Sequence, residues 1–349
     1  MNVPSQTTPY PQAPSQTTLP SSVLGGGVLK VDDYAAFLAS EYLASYLPSG
    51  GAAVKVAVVG DSSAADRLES ALAAVTAEHG GLYVGLSAQS TRVHMVDQIF
   101  FAVARAVDWE GLAAASVRAA YKDAAFGVPD GVGLTVTEVA RHHDVDSREL
   151  YRSVRRLLER ALLGNPVLAV EMSRAILRLA QAQLGPGDVD IAEHDAVLSW
   201  LRGELRSIGA LRAALIYSRI GRHNARQMLT STAALLLAAG YGGLVVQLDY
   251  ARMGEARRPP APIRSGFYYS KAATLDAYEV VRQFIDATDD LRGVLVLAVV
   301  PPQLMTDEVR GLPAYTALQL RVADEVRDRR RANPFAALVR LEVRLEAVS

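Results

Sequence analysis

Short apolar runs without polar alternation occur along the chain at residues 54–59, 82–86, 244–248 and 294–300. Strands buried on both faces of a helix-covered parallel sheet have this pattern. The stretches between these runs have the apolar spacing of amphipathic helices, at 32–46, 63–79, 95–107, 195–208, 225–239 and 275–286. Strands that alternate with helices predict an α/β fold, with a parallel sheet flanked by helices.

The ends of the chain and one internal interval depart from this pattern. Apolar and charged residues alternate from Val339 to Leu345, which predicts a strand with one solvent-exposed face, and therefore an edge strand. Residues 110–187 contain no convincing strand, which predicts a helical insertion between two parts of the α/β domain, 28–109 and 188–349. Residues 1–27 are rich in Pro, Ser, Thr and Gln, which predicts a disordered tail.

Composition restricts the chemistry that the chain can carry. Half of the 349 residues are hydrophobic, which suffices for one large domain or two ordinary ones. The formal net charge of −1 gives the chain as a whole no strong attraction to nucleic acid or to an anionic membrane. Cysteine is absent, which excludes disulfides and thiolate sites and fits a cytoplasmic location. No apolar stretch is long enough to predict a membrane span, and the six histidines lack metal-ligand spacing, so no metal site is predicted.

The segment around Gly60 has the outline of a phosphate-binding loop without its chemistry. A working loop reads G-x-x-x-x-G-K-[ST], in which the lysine reaches the phosphates and the hydroxyl binds Mg²⁺. Counted from Gly60, Ala65 replaces the second glycine, Asp66 replaces the lysine and Arg67 replaces the hydroxyl residue. A carboxylate about 4 Å from a phosphate would be repelled by roughly 4 kcal/mol at an effective dielectric of about 20. The sequence therefore predicts a nucleotide-binding fold that does not hydrolyse ATP.

A second element of a nucleotide site is predicted at Asp249. In P-loop ATPases an apolar strand ends in an Asp that holds Mg²⁺, and a following Glu often polarises the attacking water. Here the run 244–248 is followed by Asp249, and Tyr250 occupies the glutamate position. A phenol with an ordinary pKa of about 10 is a poor base at neutral pH. The alternative is that Asp249 only ends a strand and caps a turn.

Together these elements resemble the ATP-binding P-loop domain of BREX phage-defence systems, a family related to AAA+ and origin-recognition-type ATPases. The segments that carry the resemblance are 33–38, 50–55, 219–225, 239–244, 281–286, 294–300 and 315–321. The resemblance implies an AAA-like sheet and a place in an oligomer or in an assembly with other subunits, such as an ATPase or helicase. It implies ATP and Mg²⁺ as cofactors only if the altered site still binds them.

The departures from the family pattern fall on the catalytic positions. The loop lacks its Gly and Lys, Tyr250 replaces the Walker B Glu, and Val300-Pro301 stands where a polar sensor residue would follow the strand. We therefore predict no catalytic residues and only a vestigial nucleotide site. Its residues would be Gly60, Asp61, Ser62, Ser63, Asp66, Arg67, Asp249 and Tyr250. In AAA-type assemblies an arginine can reach a neighbour's nucleotide, and Arg219 or Arg321 could do so, the alternative for either being a surface ion pair or helix-end charge.

The insertion contains a predicted helix-turn-helix at 135–160. Two capping boxes, at 135–138 and 146–149, would begin helices at 136–142 and 147–160, a layout that suits this motif. Its core would be Val139, Ala140, Val145, Leu150, Val154 and Leu157. Its exposed cations would be Arg141, His142, Arg148, Arg152, Arg155 and Arg156. These side chains could neutralise DNA phosphates, whereas acidic neighbours weaken the patch and leave an interaction or packing role open.

Three functions follow as hypotheses. The first is a catalytically inactive P-loop subunit, a pseudo-ATPase, that serves as a scaffold or DNA-engaging component of a prokaryotic antiviral assembly. The second is a divergent ATPase or nucleotide sensor with an unusual loop. The third is a regulator whose helix-turn-helix binds double-stranded DNA.

Overall fold

A six-stranded, all-parallel sheet forms the centre of the part of the chain that the structure describes. The structure is a computed structural model, and it describes residues 27–185, 187–255, 257–258, 260, 265–323 and 332–343. The strands are β1 (Val28–Lys30), β2 (Ala52–Val59), β3 (Leu82–Ser87), β4 (Leu244–Asp249), β5 (Val294–Val300) and β6 (Leu338–Glu342). Their order across the sheet is β1-β6-β2-β5-β4-β3. The predicted tail at 1–27 lies outside the described residues except for Gly27.

Helices cover both faces of this sheet, which confirms the predicted α/β fold. The helices before the insertion are α1 (Val31–Leu38), which a π-helical turn at Ala39–Leu43 continues, α2 (Ser62–Glu78) and α3 (Val96–Ala106). Those of the insertion and after it are α4 (Trp109–Asp123), α5 (Val136–His143), α6 (Ser147–Leu163), α7 (Val170–Leu184), α8 (Ile191–Leu201), α9 (Ala225–Ala238), α10 (Lys271–Asp286), α11 (Gln303–Thr306) and α12 (Thr316–Val322). None of the described helices combines the length and apolar character that a membrane span requires.

Strand β5 illustrates why the core strands were predictable. Its seven residues are all buried, and alternate side chains enter two different hydrophobic clusters. Val296 packs with the α3, α9 and α10 side of the sheet, whereas Leu297 packs with α1 and α2. Because both faces are covered, both sets of positions must be apolar, which produces a continuous apolar run.

The sequence had predicted that the C-terminal strand lies at the edge of the sheet. This prediction is wrong. β6 lies between β1 and β2 and pairs with both, so β1 is the edge strand on that side. Along β6, Val339 and Leu341 are buried while Glu342 is exposed, so the alternation itself is real. Alternation reports which face of a strand is covered, whereas pairing occurs in the plane of the sheet and leaves no trace in that pattern.

The helical insertion packs onto the α3 and α9 side of the sheet. Side chains of α4 to α7 belong to the same hydrophobic cluster as those of α3, α9 and the sheet. Trp109, at the start of α4, is buried, and its indole N–H donates to the carbonyl of Ala104 at the end of α3 at 2.8 Å. The insertion is therefore held to the α/β core by continuous apolar packing.

Candidate functional site

The connection between β2 and α2 is only two residues long. β2 ends at Val59 and α2 begins at Ser62, so Gly60 and Asp61 alone separate the strand from the helix. A phosphate-binding loop needs several non-helical residues whose N–H groups surround a phosphate. Here the residues from Ser62 onward are already helical, so the connection cannot surround a phosphate in that way.

No neighbouring atom approaches Gly60 closely enough to require a glycine at this position. A Cβ added at this position would meet no atom within 4 Å. Its φ is also outside the left-handed region, the backbone conformation that favours glycine. The turn therefore tolerates a side chain at Gly60.

Asp61 satisfies the amino end of α2 with its own side chain. Its Oδ1 accepts a hydrogen bond from the N–H of Ala64 at 2.8 Å, and its carbonyl accepts from the N–H of Ala65 at 3.2 Å. Helix N-termini bind phosphates through such unpaired N–H groups and the positive end of the helix dipole. Asp61 occupies one of these donors and places a negative charge there, while the neighbouring Ser62 and Ser63 are exposed.

Asp66 and Arg67 lie within α2 and not in a loop. Asp66 is exposed on the second turn of the helix, one turn beyond the position that a P-loop lysine would need. The Nε of Arg67 donates to Oδ1 of Asp32 on α1 at 2.8 Å, and both side chains are more than half exposed. Arg67 therefore forms a surface ion pair between α1 and α2.

Asp249 ends β4 at the carboxyl edge of the sheet, where a Walker B aspartate would lie. Its Oδ1 accepts from the N–H of Ala251 at 2.9 Å, and its Oδ2 accepts from the Ser87 hydroxyl at 3.4 Å. Burial raises the pKa of the Asp249 carboxyl, these two hydrogen bonds lower it, and the nearby Asp66 carboxylate raises it further. Within the described residues, no three His, Asp or Glu side chains form a group that could hold a metal ion.

Tyr250 belongs to the hydrophobic core and not to the edge of the sheet. Its side chain is fully buried, and its hydroxyl donates to the carbonyl of Ala277 on α10 at 3.4 Å. Burial raises the pKa of this phenol far above its ordinary value, and the neighbouring Tyr278 and Tyr269 add to the rise. A group that is buried and neutral at every physiological pH cannot activate a water molecule at the edge of the sheet.

The two candidate interface arginines make contacts within the chain. Arg321 forms an ion pair with both carboxylate oxygens of Asp286 on α10, and its Nη1 donates to the carbonyl of Ala317 at 2.7 Å. Arg219 is exposed, and its Nη2 donates to the carbonyl of Arg206 at 2.5 Å. For Arg321 the structure matches the alternative of a surface ion pair.

The predicted helix-turn-helix corresponds to α5 and α6. The hydroxyl oxygen of Thr135 accepts from the N–H of Glu138 at 3.4 Å, and Oδ1 of Asp146 accepts from the N–H of Glu149 at 2.9 Å, so both helices begin at capping residues. Asp144 ends α5 in the left-handed conformation, with φ of 53°, which suits an Asp at a helix end. Of the expected core residues, four are buried and two are partly buried: Val139, Ala140, Leu150 and Val154, then Val145 and Leu157.

The six candidate DNA-binding cations are exposed on this motif: Arg141, His142, Arg148, Arg152, Arg155 and Arg156. Arg155 is the most constrained, because its Nε donates to Glu159 at 3.0 Å and its Nη1 donates to the Tyr151 hydroxyl at 3.2 Å. The Nε of Arg152 donates to the carbonyl of Arg148 at 3.3 Å, one turn earlier. The opposite side of α6 is buried and consists of Leu150, Val154, Leu158 and Leu162, so the arginines of α6 occupy its outer side.

Sequence reasoning missed two residues that contact members of the candidate nucleotide site. Ser87, which contacts Asp249, ends β3 directly opposite Asp249 in the sheet register. Asp32, which pairs with Arg67, lies 35 residues earlier in the chain. Only the strand order could have identified Ser87, and only the packing of α1 against α2 could have identified Asp32.

Fold and site together define a class, an α/β protein with a P-loop NTPase-like parallel sheet and helices on both faces. A family model described as BREX system ATP-binding protein BrxC/D matches residues 132–347, more than half of the chain. The chain belongs to this family, which associates it with BREX phage-defence systems. The matched range contains α5, α6 and strands β4 to β6. Comparisons with curated proteins and with solved structures gave no match.

Proposed function

We propose that this chain is a catalytically inactive, P-loop-like subunit that serves as a scaffold in a BREX defence assembly. The observation that carries the proposal is the two-residue turn between β2 and α2, in which Asp61 caps the helix itself. The buried Tyr250 at the position of the water-activating glutamate supports it independently. Membership in a BREX family implies other protein subunits as partners.

The main alternative is a divergent ATPase or nucleotide sensor, and the family description favours it. Isothermal titration calorimetry with ATP and ADP in the presence of Mg²⁺ separates the two. For the scaffold we expect no binding up to a nucleotide concentration of about 1 mM, which corresponds to less than about 4 kcal/mol of binding free energy. Micromolar binding that depends on Mg²⁺ would overturn the proposal.

A double variant, Ala65→Gly with Asp66→Lys, serves as the matched comparison. It restores two residues of the motif without lengthening the connection. Because Ala65 and Asp66 are helical, we expect this variant to bind no nucleotide either. Binding by the variant alone would mean that residue identity, and not the length of the turn, removed the site.

The exposed outer side of α6 favours a second role, engagement of double-stranded DNA. The recognition helix of a helix-turn-helix contacts DNA with residues near its N-terminus. Here Arg148 and Arg152 lie one turn apart in the first two turns of α6. The N-terminus of α6 is capped by Asp146, and Glu149 and Glu159 reduce the local positive charge. These charges favour weak, salt-dependent contact with phosphates over tight recognition of bases.

Fluorescence anisotropy with a labelled duplex at several salt concentrations tests this role. Arg148→Ala with Arg152→Ala should weaken binding. It should also make the negative slope of log K against log salt less steep by about 2, because two phosphate contacts are lost. Arg226→Ala with Arg292→Ala, two exposed arginines outside the motif, is the control and should change neither quantity. Equal effects of the two pairs would exclude a specific role for α6, and selectivity for one sequence would instead favour a transcriptional regulator.

A further inference from the structure

A groove beside α6 and α7 exposes three large aliphatic side chains. Leu163 ends α6, Val170 begins α7, and Leu215 lies in the segment between α8 and α9; their exposed fractions are 51%, 58% and 52%. All three line one cavity of about 750 Å³, which Leu168 and Leu177 also line and in which those two residues are buried. Apolar side chains that cluster at the surface around one groove mark interaction sites more often than scattered ones do.

Leu215 adopts a backbone conformation that is unusual for its residue type. Its φ is +57°, in the left-handed region that bulky side chains rarely occupy. Its carbonyl accepts a hydrogen bond from Nη1 of Arg174 on α7 at 2.6 Å, which holds the turn in place. The chain thus maintains a strained turn that leaves the Leu215 side chain in solvent, and such strain concentrates at functional sites.

The charged residues around this groove indicate the kind of partner that it fits. Three of the four charged lining residues are arginines: Arg155, Arg174 and Arg178, with Glu159 as the fourth. Arg155 is paired with Glu159 at 3.0 Å, and Arg178 is paired with Glu193 at 2.6 Å. Among the residues that the structure describes, no carboxylate lies within 4.0 Å of the Arg174 guanidinium, so its charge is available to a partner.

We propose that this groove binds an amphipathic helix of another protein, one that carries acidic residues beside apolar side chains spaced one turn apart. Helices that dock in grooves use such apolar anchors at i, i+3 or i+4 and i+7. The anchors would contact Leu163, Val170 and Leu215, and a carboxylate of the partner would pair with Arg174. A helix that lies across the groove can cover all three half-exposed side chains and also reach Arg174.

The chain's own first segment is a poor occupant. Residues 1–26 contain no Asp or Glu, so that segment offers nothing to pair with Arg174. The proposal rests on the proposed scaffold role and names the partner surface that this role would use. Its test involves no nucleotide, so its failure is distinguishable from the failure of the calorimetric test.

The probes are labelled helical peptides that carry leucines at i, i+4 and i+7 and glutamates beside them, together with isomers that carry lysine at every glutamate position. Anisotropy with the full chain should show the glutamate peptides binding about tenfold more tightly than the lysine isomers. Arg174→Glu should reverse that preference. Leu163→Ser with Val170→Ser should weaken binding of the glutamate peptides by about tenfold, and both residues are exposed enough to change without loss of folding.

The matched control is Ile191→Ser with Leu320→Ser, which removes two exposed aliphatic side chains, 78% and 60% exposed, outside the groove. It should leave peptide binding unchanged, and circular dichroism should show every variant folded. The proposal is overturned if no glutamate peptide binds, if the two isomers bind equally, or if the control pair weakens binding as much as the groove pair. It is also overturned if the wild type self-associates in sedimentation velocity and the groove variants do not, because a second copy would then occupy the groove.

Discussion

The carboxyl edge of the sheet and the outer side of α6 use their polar side chains in different ways. At the sheet edge, Asp61 caps α2, Asp249 caps the following turn and Tyr250 is enclosed in the core. On α6, Arg148 and Arg152 are exposed, and the motif is held by the apolar residues of the opposite side. Asp61, Asp249 and Tyr250 are thus engaged within the chain, whereas the side chains of Arg148 and Arg152 are exposed to solvent.

The stability of the sheet does not depend on the polar groups at its carboxyl edge. The sheet is stabilised by strands such as β5, which is buried on both faces, and none of that packing depends on a bound phosphate. A family description that names ATP binding is consistent with the fold of this chain, but a fold alone does not establish an activity. Function has to be argued from the side chains at each site.

Replacing Tyr250 gives the largest expected effect. Tyr250→Glu would restore the Walker B residue type but would place a carboxylate in the core, so we expect a loss of about 3–5 kcal/mol in the free energy of unfolding, or failure to fold. Tyr250→Phe loses only the 3.4 Å hydrogen bond to Ala277 and should cost about 1 kcal/mol or less. Urea denaturation measures both variants. A stable Tyr250→Glu variant with ATPase activity would contradict this expectation, because it would mean that the sheet edge can perform nucleotide chemistry.

The two sides of α6 can be compared directly by substitution. Leu158 is 1% exposed, so Leu158→Ala should cost about 2–5 kcal/mol through lost burial and the cavity left behind. Arg156→Ala, on the exposed side, should change stability by less than about 0.5 kcal/mol. Urea denaturation again provides the measurement. Similar costs for both variants would mean that the arginine side is also engaged in packing.

Asp61 provides a smaller test of the sheet edge. Asp61→Ala removes the cap of α2 and should cost about 1 kcal/mol, whereas Asp61→Asn keeps a capping oxygen and should be nearly neutral. Thermal and urea unfolding of the two variants would be compared with the wild type. If Asp61→Ala were as stable as the wild type, the carboxylate would not be needed by the helix and a role toward a ligand would have to be considered.

The sequence predicted the elements well where burial leaves a periodic pattern. Strands β2, β3, β4 and β5 were visible as continuous apolar runs, and the starts of α5 and α6 were visible because capping chemistry is local. β1 was missed because three residues are too few to show a period. The position of β6 was missed because pairing partners lie more than 270 residues away in the chain.

The same limit explains what could not be predicted about the sites. The short turn at Gly60 was predicted, because the predicted strand ends at residue 59 and the predicted helix begins at 63, but the position of Ser87 opposite Asp249 was not. The groove depends on Leu163, Val170 and Leu215, which come from three separate segments. Their exposure is a property of how α6, α7 and the segment before α9 pack, and no local pattern encodes it.

The smallest expected effect on stability concerns the charge network that joins α10 to α12. Like the carboxyl edge of the sheet, and unlike the outer side of α6, this network uses its charged side chains for contacts within the chain. Hydrogen bonds from Arg282 hold the pKa of the Glu279 carboxyl at about 2, below its ordinary value of 4.5, and Tyr315 and Gln283 also donate to it. Because the folded-state pKa is the lower one, the network contributes stability that is fully present above about pH 4.5. That contribution is lost as the pH falls toward about 2.

Glu279→Gln isolates this contribution from other titrating groups. The side chain is 32% exposed, so solvent screening limits its value and we expect the variant to be less stable than the wild type by about 1 kcal/mol or less near pH 7. The difference should shrink between about pH 4.5 and pH 2, because the wild-type carboxyl then takes up a proton. Glu308→Gln, at an exposed position, is the control and should match the wild type across the range. A Glu279→Gln difference that stayed constant with pH would mean that shape and packing, and not charge, join α10 to α12.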